Sequence, residues 1–313
     1  MLWRFKTIPT SLPLPKTLWW GVFSFLMGCE RPSEPIPSQP QTLIYPSENS
    51  ELFRNDPAGR LPECQGFPSK PQCDQGDGVL FNGLLCLSGY LHSCEYVKQS
   101  QDPYGRWWRS PLRAQKGEET PNSFSRDMAF GVMAYLLQTK DSRAAQKWVQ
   151  WILGSGKGKL CATPTDNRCT FTPGFWNLMG LVWTYHNWPL LDAMTNDLPD
   201  EAFLPIQAQL APPGFELHLI AVNLYLRKKM GIRNDLTLFT AKLLWQRESE
   251  NPFFGFLAEE KKELLVALAR MHCHARGKKG LQNQWYLERA QSQKAWLDSM
   301  GWDCVFLDHI LLY

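Results

Sequence analysis

Long apolar segments with helical spacing dominate the chain after residue 76. Residues 77–91 and 127–139 are apolar at nearly every helical position, and residues 142–153 are amphipathic. Five further segments follow the same period: residues 175–185, 215–230, 236–247, 259–274 and 284–297. No segment shows the strict alternation of a strand. The pattern therefore predicts about eight helices and an all-α fold, with loops rich in Gly, Pro and Asn.

Two kinds of helix alternate along this pattern. A helix that is apolar all round is typical of a buried position, whereas a helix with one apolar stripe is typical of a peripheral one. Residues 77–91 and 127–139 are of the first kind, and residues 142–153 are of the second. Helices joined by short turns pack as antiparallel hairpins. We therefore predict antiparallel helical hairpins in an inner and an outer layer, arranged as an α/α toroid or a partial toroid.

The first 28 residues have the three zones of a secretory signal. Residues 1–16 contain three basic residues and no acid, residues 18–27 form an apolar run, and Gly28 is a small residue before the predicted cleavage point. The run is about ten residues long, whereas a membrane-spanning helix needs about twenty. We therefore predict a signal peptide over residues 1–28 and no permanent membrane span there.

The end of this signal has a specific form. Leu26-Met27-Gly28-Cys29 resembles the bacterial lipobox. The resemblance implies that residues 1–28 are removed and that Cys29 carries acyl chains such as palmitate, enough for stable membrane anchoring. The residue after Cys29 is Glu30 and not Asp. By resemblance to Gram-negative lipoproteins, this favours the outer membrane. The alternative is an ordinary signal peptide with an incidental Cys. We expect a cell-envelope protein, lipid-anchored to a membrane, which is the outer membrane if the host is Gram-negative.

A Pro-rich tether follows the lipid-bearing Cys. Residues 30–47 hold five prolines and little apolar material. Such segments form extended spacers and do not build a core. We therefore predict a tether over residues 29–60 and a single all-α domain over residues 61–313, a length typical of one domain.

Charge and aromatic content narrow the possible partners. The formal net charge is only +3, which gives no case for nucleic acid. The chain has 14 Trp residues. They indicate either a Trp-rich core or carbohydrate binding, because the C–H faces of sugar rings pack on aromatic planes. Composition does not decide between these two interpretations.

Eight cysteines remain after Cys29 is set aside, and an exported chain meets an oxidising compartment. Local order suggests the pairs Cys64–Cys73, Cys86–Cys94, Cys161–Cys169 and Cys273–Cys304. The third pair is the best supported, because the residues between its cysteines, TPTDN among them, form a turn-rich loop. Spacing alone leaves the connectivity open. For Cys86, which lies in an apolar run, a free buried thiol is the alternative.

Three polar stretches are candidates for chemistry: residues 76–82, 105–113 and 122–127. Together they resemble the six-hairpin glycosidase-like superfamily, the α/α toroids of many sugar-cleaving enzymes, over roughly residues 74–190. The resemblance implies catalytic acids at Asp77 and Asp127, substrate-binding arginines at Arg109 and Arg126, and a sugar platform at Trp107 and Trp108; Asn82 joins the substrate-binding set. Two carboxylates are the usual requirement for glycoside cleavage. The toroids of that superfamily have more helices than are predicted here, so a partial toroid is the second possible form.

Structural interpretations compete with these roles. An Asp at a helix start often caps the helix, which applies to both Asp77 and Asp127. The Arg-Trp-Trp-Arg stretch is also compatible with a cation–π stacked surface loop, and Trp108 is better explained as a core residue. His272 and His274 flank Cys273, but side chains two apart on a helix point in different directions, so we predict no metal site and no cofactor.

Two function classes remain. The first is a membrane-anchored enzyme that processes a glycan as a glycoside hydrolase or a polysaccharide lyase. The second is a non-catalytic envelope lipoprotein that binds a glycan or a protein partner. We expect them to be distinguished by whether Asp77 and Asp127 share one open cleft with Trp107 and Arg109.

Overall fold

The computed structural model describes residues 78–117, 123–156, 158–161, 167–170, 172–188, 201–212, 215–269, 306–307 and 310–311. All of them belong to one compact unit, residues 41–313. These residues are mostly helical (72%) and contain no strand, which confirms the prediction of an all-α fold. Within the same residues, no helix combines the length and the apolar character needed to cross a membrane.

The described part of the chain contains the following helices in chain order. They are α1 (Gly78–Ser88), α2 (Leu91–Gln99), α3 (Pro111–Lys116), α4 (Arg126–Thr139), α5 (Ser142–Leu153), α6 (Pro173–Tyr185), α7 (Leu204–Leu210), α8 (Phe215–Lys229), α9 (Asp235–Arg247), α10 (Pro252–Leu257) and α11 (262–269). Short 3₁₀ turns lie at Asn167–Cys169 and Glu201–Phe203. The predicted segments at 127–139, 142–153, 215–230 and 236–247 coincide closely with α4, α5, α8 and α9. The helix predicted at 284–297 lies outside the described residues.

The pattern missed the short helices, for a common reason. The helices α3, α7 and α10 each have a proline in their first two positions. Proline usually breaks a helix, but at the first helical position its missing N–H leaves no hydrogen bond unmade. The single helix predicted at 77–91 is also wrong, because the chain turns at Gly89, whose φ of 114° favours glycine. The helix α1 ends there and α2 returns beside it.

The helix α4 occupies the centre of the described fold. It packs against α1, α2, α5, α6 and α8, and all ten residues from Met128 to Leu137 are buried. Its neighbour α1 is equally enclosed, with Gly78–Leu87 buried throughout. In contrast, α5 buries only the face that carries Trp148. The predicted distinction between buried and peripheral helices therefore holds for these three helices.

The backbones of α1 and α4 touch where two glycines meet. A Cβ atom added to Gly131 would lie 2.1 Å from Val79 O, and one added to Gly83 would lie 2.1 Å from Gly131 O. Only glycine allows this close approach. Val79 lies in the first turn of α1, and Gly131 lies about 6 Å along α4 from Asp127, at about 1.5 Å of rise per residue. The contact therefore joins the first two turns of α1 to the second turn of α4.

Two disulfides connect neighbouring elements. Cys86 in α1 is bonded to Cys94 in α2 with a Cα–Cα distance of 4.8 Å, and Cys161 is bonded to Cys169 with a Cα–Cα distance of 5.4 Å. Both predicted pairs are confirmed, and the free-thiol alternative for Cys86 is wrong. The other cysteines lie outside the described residues: Cys29, Cys64, Cys73, Cys273 and Cys304.

Candidate active site

A tightly closed turn organises the Arg-Trp-Trp-Arg stretch. The Asp102 Oδ1 atom accepts hydrogen bonds from the backbone N–H groups of Tyr104 (2.9 Å) and Arg106 (3.0 Å). Its Oδ2 atom accepts one from Trp108 Nε1 at 2.9 Å. The Trp108 N–H donates to Ser100 O at 2.9 Å, which closes the loop at its base. Asp102 is therefore the organising residue of this loop, and its position in an Asp-Pro-Tyr-Gly turn is the sequence signal that indicates such a role.

Arg106 links this loop to the segment before α4. Its guanidinium carbon lies 3.7 Å from the centroid of the Trp108 ring, and its Nη2 atom donates to Ser123 Oγ at 3.1 Å. The cation–π interaction considered for the surface is thus present but buried, since Arg106 is only 6% exposed. The local sequence does not indicate this role of Arg106, because only the fold brings Ser123 next to it.

Arg109 makes the second link to the start of α4. It is buried, its N–H donates to Ser123 O at 2.8 Å, and its Nη2 atom makes a long 3.5 Å hydrogen bond to Ser125 Oγ. Cys169 Sγ lies 3.6 Å from Phe124 O, so the second disulfide packs against the same segment. A buried arginine, two buried serines and a disulfide therefore fix residues 123–125.

Asp127 lies two residues after Ser125, and its side chain is not among the contacts that fix this segment. Ser125 is the N-cap residue of α4, and its side chain does not cap the helix because it faces Arg109. Asp127 lies in the first turn and is partly buried. In the described part of the chain, no hydrogen bond or ion pair involves the side chain of Arg126 or Asp127. Asp127 is thus not the cap of its helix.

The structure differs from the prediction for Trp107. Its ring is 0% exposed and makes edge contacts with Tyr135 (centroids 5.8 Å apart) and Trp148 (6.4 Å). Trp107 pairs with Gln101 in an isolated backbone bridge, and the loop directs its side chain into the core. Trp108 is 2% exposed, as its core interpretation predicted. Neither ring forms a sugar platform or the wall of an open cleft.

Asn82 lies inside α1, not at its opening. It is 1% exposed, and its Nδ2 atom donates to Gly78 O at 2.8 Å, while Oδ1 has no hydrogen-bond partner. Asp77 lies outside the described residues. The structure therefore links Arg109 to Ser125, next in the chain to Arg126 and Asp127. It buries Arg109, Trp107 and Asn82 away from any open surface, so none of these three is placed as predicted for contact with a substrate.

A second buried polar group lies elsewhere in the fold and was not predicted. Glu248 is the C-cap residue of α9 and is 7% exposed. Asn251 Nδ2 donates a hydrogen bond to Glu248 Oε2 at 3.5 Å, and Glu248 Oε1 has no hydrogen-bond partner in the described part of the chain. Burial raises the pKa of Glu248 to about 7. The Asn251 hydrogen bond and the charges of Arg247 and His218 lower the same pKa by smaller amounts. Nothing in the local sequence distinguishes this carboxyl from an exposed one.

Glu248 is expected to make stability depend on pH. The folded protein holds a proton on this carboxyl that the unfolded chain releases above pH 4.5, so stability falls as pH rises from 4.5 to about 7. The shift corresponds to about 3 kcal/mol over that window. Glu248→Gln keeps the group neutral and should flatten the profile of unfolding free energy against pH, measured in urea. An unchanged slope between pH 5 and 7 in this variant would contradict the assignment.

Metal ligation has no candidate in the described residues, because no group of three or more His, Cys, Asp or Glu side chains converges there. His272 and His274 lie outside that part of the chain.

No protein-family model, no curated protein and no solved structure matches this chain.

Proposed function

We propose that this protein is a lipid-anchored lipoprotein of the cell envelope whose helical domain cleaves a glycan, with Asp127 as the catalytic base or nucleophile. The observation that carries the proposal is the Asp127 carboxylate: it is partly buried at the start of the central helix, and its side chain has no hydrogen-bond or ion-pair partner among the residues that the structure describes. A carboxylate that plays no structural part in its helix start is a candidate for the general base or nucleophile of an active site.

The surroundings of Asp127 suit a carboxylate that acts on a substrate. A negative charge is favourable at a helix N-terminus. Arg126 is partly buried with no partner in the described structure, so its guanidinium is free to bind hydroxyl or acidic groups of a sugar. Arg109 is a positioning residue in this account, because it fixes Ser125 beside the helix start.

Asp77 is the proposed second carboxyl. It directly precedes α1, and the first turn of α1 touches α4 at Gly131, one helical turn from Asp127. Glycoside hydrolases hold their two carboxyl groups about 5 to 10 Å apart. The contact of the first turn of α1 with the second turn of α4 is the observation that supports this pair. The α/α toroid, complete or partial, remains part of the proposal and is supported by the enclosed α1 and α4 beside the one-sided α5.

A non-catalytic, glycan-binding or protein-binding lipoprotein is the second candidate function. The burial of Trp107 and Trp108 favours it, because aromatic rings that line the cleft are a feature of the sugar-cleaving toroids that the sequence resembles. In this case Asp127 and Arg126 would contact a ligand without cleaving it.

Product analysis separates the two functions. The mature chain, starting at residue 29, is incubated with acidic and neutral polysaccharides, and both new reducing ends and the ultraviolet absorbance of unsaturated sugars are followed. Hydrolysis yields reducing ends alone, whereas a lyase yields both signals. Binding of a polysaccharide with neither signal would reject the enzyme and favour the second candidate.

A further inference from the structure

A groove lies between the turn at residues 101–105 and the first turn of α5. Its lining includes Lys98, Asp102, Pro103, Asp141, Arg143 and Lys147. Its volume is about 410 Å³, within the range of roughly 300 to 1,000 Å³ that is typical of ligand sites. None of the residues predicted for catalysis or substrate binding lines this groove.

The two carboxylates in the groove are occupied by the protein itself. Both oxygens of Asp102 accept the hydrogen bonds that close the turn. Asp141 caps α5, with Oδ1 accepting from Ala144 N at 2.9 Å and Oδ2 accepting from Tyr135 Oη at 2.8 Å. The acids are therefore structural and have little capacity left to bind a ligand.

The cations of the groove, in contrast, are available. Lys98 and Arg143 are exposed, and neither side chain has a hydrogen bond or ion pair in the described part of the chain. Lys147 makes one 3.3 Å hydrogen bond, from Nζ to Pro103 O, which leaves further donor capacity. The groove thus offers three positive groups to a ligand and few free acceptors.

The two walls are fixed relative to each other. Gln101 Nε2 donates to Ala144 O at 2.9 Å and to Gly105 O at 3.1 Å. Gly105 packs against the backbone of Lys147, where an added Cβ atom would lie 2.3 Å from the carbonyl oxygen. Because the groove is preformed, a ligand would not have to supply the free energy of ordering it.

An exposed aromatic residue follows Pro103, which lines the groove. This residue, Tyr104, is 84% exposed. A tyrosine ring combines an apolar face with a hydrogen-bonding hydroxyl, which suits the C–H face and the hydroxyls of a sugar. Tyr104 is therefore the residue of this turn that could add an aromatic contact to a glycan held in the groove.

We propose that this groove binds an acidic segment of the glycan, so that the substrate class is a polysaccharide with carboxylate-bearing sugars. The inference rests on the proposed function and adds the chemical class of the substrate. The same loop continues through Arg106 and Arg109 to Ser123 and Ser125, which connects the groove to the start of α4. A nucleic acid fits less well, because the chain has a net charge of only +3.

Calorimetry on the mature chain tests this proposal with polygalacturonate oligomers as the acidic probe and dextran of equal length as the neutral probe. Lys98→Gln/Arg143→Gln removes the two cations without breaking an interaction in the described structure. Lys242→Gln/Lys262→Gln is the matched control, since both lysines are exposed and lie outside the groove.

We expect the wild type and the control to bind polygalacturonate alike, and the groove variant to bind about tenfold more weakly, with the difference shrinking in high salt. Tyr104→Ala should weaken binding in a salt-independent way.

Several results would overturn the proposal: no binding of polygalacturonate by the wild type, equal binding of dextran, equal binding by the groove variant, or equally tight binding of an oligothymidylate. The cleavage assay keeps the two proposals distinct. Polygalacturonate binding that depends on Lys98 and Arg143 in a protein without cleavage activity would reject only the enzyme. Cleavage of a glycan that is indifferent to the groove variant would reject only the groove.

Discussion

Replacing Asp127 by Asn is expected to reduce the glycan-cleaving rate about a thousandfold, the scale of a lost acid–base group, while leaving the fold intact. The amide has nearly the shape of the carboxylate but cannot accept a proton or attack a sugar. The stability cost is expected to stay within about 1 kcal/mol, because the variant loses only the favourable charge at the helix start. The rate is measured as reducing-end release at saturating substrate, and stability as the urea midpoint.

A matched control comes from α9. Asp235 also lies in the first turn of its helix, and it is exposed. Asp235→Asn should therefore show the same small loss of stability with full activity. Asp127→Ala should be as inactive as Asp127→Asn. If Asp127→Asn loses stability but keeps the wild-type rate, Asp127 has a structural role and the proposed enzyme loses its principal residue.

Gly131→Ala is expected to destabilise the protein by about 3 kcal/mol or more, because it inserts a methyl group where two backbones touch. An added Cβ atom would lie 2.1 Å from Val79 O and 2.5 Å from Leu80 Cα. Backbone atoms in the centre of two buried helices cannot give way as the end of a flexible side chain can. The sign of this stability change distinguishes the site from an ordinary helix position, because Gly→Ala inside an unobstructed helix stabilises by about 1 kcal/mol.

Chemical denaturation of Gly131→Ala measures this effect, with Gln138→Ala as the control in the exposed last turn of the same helix. The control should change the unfolding free energy by less than about 0.5 kcal/mol. A Gly131→Ala protein as stable as the wild type would mean that α1 and α4 do not touch there, and would remove the argument that Asp77 lies near Asp127.

The buried helices could be predicted because they are apolar on every side, and α4 follows its predicted range closely. The turn at Gly89 was hidden, because Tyr90 and Leu91 continue the apolar run of α1 and one glycine inside such a run does not by itself indicate a break. The short helices α3 and α10 were hidden because a proline at the start of a helix looks like a loop signal.

The site was predictable only in part, because side-chain direction in a loop depends on distant contacts. The resemblance implied a sugar platform that includes Trp107, but the ring of Trp107 is buried in the core, as is that of Trp108. The Arg106–Ser123 hydrogen bond and the Gln101–Ala144 hydrogen bond join residues 17 and 43 positions apart, and local sequence cannot indicate them. The start of α4 was identifiable, since Ser125 and Asp127 are typical of a helix N-terminus.

The most direct test of the central claim, that Asp77 and Asp127 act as one catalytic pair, is a double-mutant cycle on kcat/KM for the cleaved glycan. Residues that work as a unit lose nearly all activity together, so the effects of their replacement are not additive. We predict that Asp77→Asn and Asp127→Asn each reduce kcat/KM severely, and that the double variant is no slower than the slower single variant. Losses that multiply in the double variant, or an Asp77→Asn protein with the wild-type rate, would contradict the pair.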